Sequence, residues 1–184
     1  VEAFVSNASS PITDLHSLEA VRLITQNLLP AVRDPQNLDF RTKTMFASLL
    51  AGLASSNASL GALHAMTHSL GGYLDLAHGE CIALLLEHVV TFNYDTVPER
   101  YRTIEECMGL RTGESGSGPV NSGLPQALAR LRESLGIGRS IGQLGVKRGD
   151  IPVLAEKAMQ DVCLATNPRQ PTQTEIEMIY ERAF

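Results

Sequence analysis

The chain has 184 residues, 43% hydrophobic and 19% charged, which suffices for one domain around a hydrophobic core. A net charge of −5 with no Lys/Arg cluster argues against a nucleic-acid partner. The longest apolar stretch, Cys81 to Leu86, falls far short of the roughly 20 residues that a membrane helix takes.

Val1-Glu-Ala-Phe-Val-Ser6 reads like the tail of a helix already under way. Pro11-Ile-Thr13-Asp14 predicts a helix start capped by Thr13 or Asp14. Leu15, Leu18, Val21, Leu23, Ile24 and Leu28 follow at helical spacing, and Pro30 is expected to end or kink that helix. After the turn Asp34-Pro35, Asn37 or Asp39 opens a second helix, rich in small residues from Ala47 to Ala58. Gly61 separates it from a third, Ala62 to about Leu70, which Gly71-Gly72 should terminate. A fourth begins at Gly79-Glu80 and runs to about Phe92, and Pro98 opens a fifth, reaching Met108. The stretch from Gly113 to Pro119 reads as a flexible loop. It lacks the Lys-Ser/Thr of a phosphate loop and is no dinucleotide fingerprint. Further helices are expected from about Pro125 to Leu135, from Asp150-Ile-Pro152 to Met159, and from the capping-box-like Thr172-Gln-Thr174-Glu175 to near Phe184. No period-2 alternation suggests a strand. The reading is one all-α, multi-helix domain spanning 1–184.

Three widely spaced cysteines, Cys81, Cys107 and Cys163, form no Cys-x-x-Cys pair. They suggest neither a disulfide framework nor a zinc knuckle, and they fit a reducing, cytoplasmic setting. No signal-like leader opens the chain, which points away from secretion.

The chemistry concentrates in histidines. His64 and His68, four apart, share a helix face about 6 Å apart along the axis. His78 would stand about 21 Å beyond His64 on a straight helix, too far for one metal bound at about 2 Å. A break near Gly71-Gly72 lets the chain fold back and aim His64 and His78 at one point, with His68 lining the same pocket. The plainer alternative is an ordinary surface-and-core histidine pair. His16 and His88 lack nearby partners and read as structural. Asp75 is available as a third ligand, although a solvated loop carboxylate is the simpler reading.

Gly61-Ala-Leu-His64-Ala-Met-Thr-His68-Ser-Leu-Gly-Gly72, followed by Asp75-Leu-Ala-His78-Gly79, closely resembles the signature of iron-containing (group III) alcohol dehydrogenases. The likeness extends through Ala51–Gly61 before it, Leu84–Asn93 after it, and Thr166-Asn167-Pro168-Arg169 with Glu175–Glu181 near the end. In that family an N-terminal α/β domain binds NAD(P). A helical, dehydroquinate synthase-like C-terminal domain holds a divalent metal through one Asp and three His. The resemblance implies that His64 and His78 are two of those ligands. It also implies that His68 is a non-ligand residue beside the nicotinamide and substrate, suited to relay a proton. Ser55 stands where many relatives carry an aromatic residue, so it implies a roomier substrate pocket; helix packing is the alternative role for a small serine there.

The remaining Asp and His of the family lie in an Asp-x-x-x-His-Ala segment directly before a stretch similar to Val1–Asp14. The chain is therefore expected to be the C-terminal part of a longer enzyme, inactive alone, with the nucleotide-binding domain absent. Implied cofactors are Fe(II), with Zn(II) as the alternative, and NAD or NADP. The implied partner is a small alcohol or aldehyde, with no nucleic acid and no membrane, and the full-length protein is expected to be a homo-oligomer. Rival readings are a non-catalytic member of the same fold, and a helical interaction domain in which His64 and His78 point apart.

Overall fold

The computed structural model describes residues 1–110 and 123–184, and within them all regular structure is helical. The elements are α1 (Glu2–Val5), α2 (Pro11–Arg33), α3 (Leu38–Ala58), α4 (Ala62–Leu74), α5 (His78–Asn93), α6 (Pro98–Cys107), α7 (Leu124–Ser134), α8 (Ile151–Met159) and α9 (Gln173–Ala183). The expected Gly113–Pro119 loop lies outside the described residues. Among those residues no single helix is long and apolar enough to cross a membrane.

Several boundaries differ from the sequence reading. α2 is capped by Ser10, whose hydroxyl accepts the Thr13 amide while Thr13 Oγ1 accepts the Ser10 amide at 2.7 Å. This reciprocal box places the start three residues before Thr13. Pro30 does not end α2, which continues to Arg33. So near the C-terminus the proline forfeits one amide bond, and its own carbonyl still accepts the Asp34 amide at 2.9 Å. Asn37 caps α3 as expected.

Gly71 and Gly72 remain helical, and α4 ends instead at Asp75, in the left-handed region at φ 53°. A Cβ on Gly71 would stand in ordinary contact with the Leu76 carbonyl at 3.5 Å and the Cys81 sulfur at 3.8 Å, so the position does not require glycine for space. A helical glycine costs only about 1 kcal/mol against alanine, so the pair alone does not stop the helix. α5 opens at His78, one residue earlier than expected.

Two cores hold these elements. The larger joins α4, α5, α8 and α9 around Met66, Leu70, Leu85, Leu154, Ile176 and Ile179, all buried. Each such side chain contributes about 1.5–3 kcal/mol. Two buried hydrogen bonds fix the position of α4 within it: Tyr180 OH to the Met66 carbonyl at 2.7 Å, and Ser69 Oγ to the Leu154 carbonyl at 2.8 Å. The smaller core joins α1, α5, α6 and α7 through Phe4, Val90, Tyr101, Ile104 and Leu128. The long helices α2 and α3 pack together through Ala20, Leu23, Ala47 and Leu50. The chain then bends by 106° from α3 into α4, which carries His64 and His68.

Candidate metal centre

α4 begins without a capping side chain of its own, because Gly61 is its N-cap. Its first amides are satisfied from far along the chain. Ala62 N–H donates to Asn167 Oδ1 at 3.0 Å, and Leu63 N–H donates to Glu2 Oε1 at 2.8 Å. A Cβ on Gly61 would lie 2.6 Å from the Asn167 oxygen and 2.8 Å from the Glu2 oxygen, so glycine is required here for space. Asn167, 1% exposed, is itself fixed by two bonds exchanged with the Asn93 amide and by donation to the Arg169 carbonyl. The Glu2 carboxylate also suits the positive end of the helix dipole.

That start sets the position of His64 in the first turn. Its Nδ1 bonds the second oxygen of Glu2, so the carboxylate spans the helix start and the ring. With Nδ1–H donating, Nε2 carries the lone pair. His68 follows one turn on, and the three residues after Leu74 swing the chain back so that His78 stands in the first turn of α5. The ring centroids lie 5.4 Å apart for His64 and His78, 5.5 Å for His68 and His78, and 6.0 Å for His64 and His68. Desolvation holds the His78 pKa below the usual histidine value, reinforced by the neighbouring His64 and His68. It is therefore a neutral imidazole at neutral pH, the form that ligates metals. Nitrogen donors of this kind, one backed by a carboxylate, fit a divalent transition metal.

His68, like His64, meets a carboxylate at Nδ1. Its Nδ1 bonds Asp161 Oδ2 at 2.7 Å, and Asp161 Oδ1 accepts the Cys163 amide at 2.8 Å. Ligand atoms of His68, Asp161 and Cys163 all lie within 4.8 Å of one another. Burial, and then Asp161, push the Cys163 thiol up to about 12, so it stays protonated and is a poor ligand. Asp161 lies below the usual carboxylate value. Its partial burial opposes this, and the Cys163 and His68 hydrogen bonds outweigh it. The trio reads as a hydrogen-bonded imidazole–carboxylate pair.

Ser55, half-buried on α3, bonds back to the Gly52 carbonyl at 3.1 Å. It shares with His64, Leu60 and Ile82 a largely apolar cleft of about 590 Å³. His68 instead borders a smaller, polar recess of about 350 Å³ with Lys157, Gln160 and Asp161. His16 bonds the Ile12 carbonyl on α2, and His88 lies beside Glu87 on α5; neither belongs to the three-ring cluster.

Asp75 is exposed and caps α4. Asp75→Gly is expected to raise stability by about 0.5 kcal/mol by relieving the left-handed residue. Metal content should stay unchanged. Thermal unfolding and metal analysis check both, and loss of metal would make Asp75 a ligand.

Glu2, Asn167 and Asp161 were missed by the sequence reading. Asn167 and Glu2 lie in stretches that carry the resemblance, yet nothing local shows what their side chains touch. Asp161 has the look of a helix cap before Val162-Cys163, which accounts for only one of its oxygens.

Residues 1–184 match the C-terminal part of the Fe-containing alcohol dehydrogenase family. The chain is 41% identical over 184 residues to the 1,3-propanediol dehydrogenase of Citrobacter freundii, covering all of this chain and 48% of that protein. It is 40% identical to alcohol dehydrogenase 4 of Saccharomyces cerevisiae, covering 47% of it. The crystal structure of a 1,3-propanediol oxidoreductase superposes with a TM-score of 0.95 at 40% identity, over all of this chain and 48% of that one. The chain thus spans about half the length of the curated relatives it matches. On a whole-length family match and a shared helical fold, the chain belongs to the Fe-containing alcohol dehydrogenase family, as its C-terminal part.

Proposed function

We propose that the chain is the metal-binding part of an NAD(P)-dependent oxidoreductase that interconverts an alcohol with its aldehyde or ketone. The observation that carries this is the convergence of His64 and His78, 5.4 Å apart between ring centroids, with Glu2 holding His64 so that Nε2 is free. It disfavours a helical interaction domain in which those rings diverge.

His64 and His78 would hold a divalent iron, or zinc in its place, and the Asp and His of a segment directly before the stretch Val1–Asp14, distinct from the N-terminal nucleotide-binding domain, would complete the set in the whole protein. The metal supplies Lewis acidity toward the alcohol or carbonyl oxygen. Hydride chemistry belongs to the nicotinamide, NAD or NADP, bound mainly by that other domain. His68 faces the polar recess and holds or passes the proton at Nε2. The 184 residues alone are expected to show no turnover. A cytoplasmic homo-oligomer fits the three free cysteines and the exposed apolar row Leu38, Met45, Leu49 and Leu53 on α3. The net charge of −5 fits no nucleic acid.

The test is metal analysis and an alcohol and aldehyde screen on the full-length protein. One divalent ion per chain with NAD(P)-linked turnover is expected. A folded protein lacking both would be a non-catalytic member of the fold. Ser55 lets the cleft take bulkier alcohols, so Ser55→Phe is expected to raise KM for the bulkiest substrates at least about tenfold. An unchanged substrate profile would make Ser55 a packing residue only.

A further inference from the structure

We infer that Asp161 is the positioning residue for His68, fixing the imidazole with Nδ1 protonated and Nε2 open to the reacting groups; this rests on the proton role proposed above for His68. The His68 side chain is 44% exposed. An imidazole that exposed, left to itself, would exchange tautomers and ring orientations, and only one combination presents a basic Nε2 to the site. Asp161 removes that freedom through a bond of 2.7 Å between His68 Nδ1 and its Oδ2. A bond to an ionised acceptor is about twice as strong as a neutral one.

The carboxylate is itself held. It caps the short 3-10 turn Val162–Thr166 by accepting the Cys163 amide on Oδ1, and its side chain is 18% exposed. The cap needs one oxygen only. The second reaches across 93 positions of sequence to His68, a bond that the turn itself does not require. The same link joins the C-terminal segment to the exposed face of α4, where the recess with Lys157 and Gln160 opens.

The test uses the full-length, metal-loaded protein and the isosteric Asp161→Asn. Asparagine still caps the turn, so the fold is retained, and an unchanged unfolding midpoint checks this. Its amide group, turned toward His68, favours the opposite tautomer. The expected result is a fall in kcat of roughly 100-fold, with KM for the alcohol and metal content unchanged. In a His68→Ala background the same substitution should have no further effect, because the two residues act as one unit. Nitrogen-15 histidine spectra of the zinc-loaded protein, with the His68 signal identified by its loss in His68→Ala, should show Nδ1–H in the parent and not in Asp161→Asn. An unchanged kcat, an equal fall in the His68→Ala background, or accompanying metal loss would overturn the proposal. If His68→Ala itself leaves turnover intact, the role of His68 falls first. If it lowers turnover while Asp161→Asn does not, only the assignment of Asp161 falls.

Discussion

Replacing His78 with alanine in the full-length protein is expected to strip its metal and its turnover while leaving the fold intact. His78 is exposed at the first turn of α5, and among the described residues its ring contacts are with His64 and His68. Losing an exposed side chain there should change stability by less than about 0.5 kcal/mol. The loss in metal affinity should exceed the roughly 10- to 100-fold that removal of an outer-shell partner costs. Metal per chain after dialysis is the measurement. His68→Ala is the control, expected to keep its metal and lose rate. If His78→Ala retains metal at the parent level, the ligand assignment is wrong.

Asn167→Ala is expected to be the most destabilising single change near the site. The side chain is buried, accepts the Ala62 amide, exchanges two bonds with Asn93 and donates to the Arg169 carbonyl. Truncation leaves a helix-start amide and a buried carboxamide without partners. At about 1–3 kcal/mol for each stranded group, with partial relaxation, the expected loss is about 3 kcal/mol. For a domain of this size that lowers Tm by about 6–12 °C. Thermal or urea unfolding would show it, and a shift under about 2 °C would mean that water replaces the amide.

The histidines were legible because their geometry is local. Helix arithmetic puts His64 and His68 on one face, and any break before His78 turns the chain back. The break itself was misread. Gly71 and Gly72 look like terminators, but both lie within the helix, and the stop falls to the left-handed Asp75. Of the two outcomes expected at Pro30, an end or a kink, the helix does not end there but runs three residues further, to Arg33. The three residues that hold the imidazoles and the helix start left no pattern to read. Glu2 reaches Leu63 across 61 positions, Asp161 reaches His68 across 93, and Asn167 reaches Ala62 across 105. Periodicity reports which face of a helix is buried, not which distant carboxylate or amide will meet it.

The borrowed start of α4 ties the site to the order in which the chain is made. A helix begins at the cost of an unfavourable nucleus, and this one draws its first two partners from Glu2 and Asn167. During synthesis His64 leaves the ribosome long before Asn167 does, with its helix start still half-capped. The imidazoles are therefore expected to reach their final register only once the stretch carrying Asn167 docks, and metal uptake by the full-length protein should then depend on that docking.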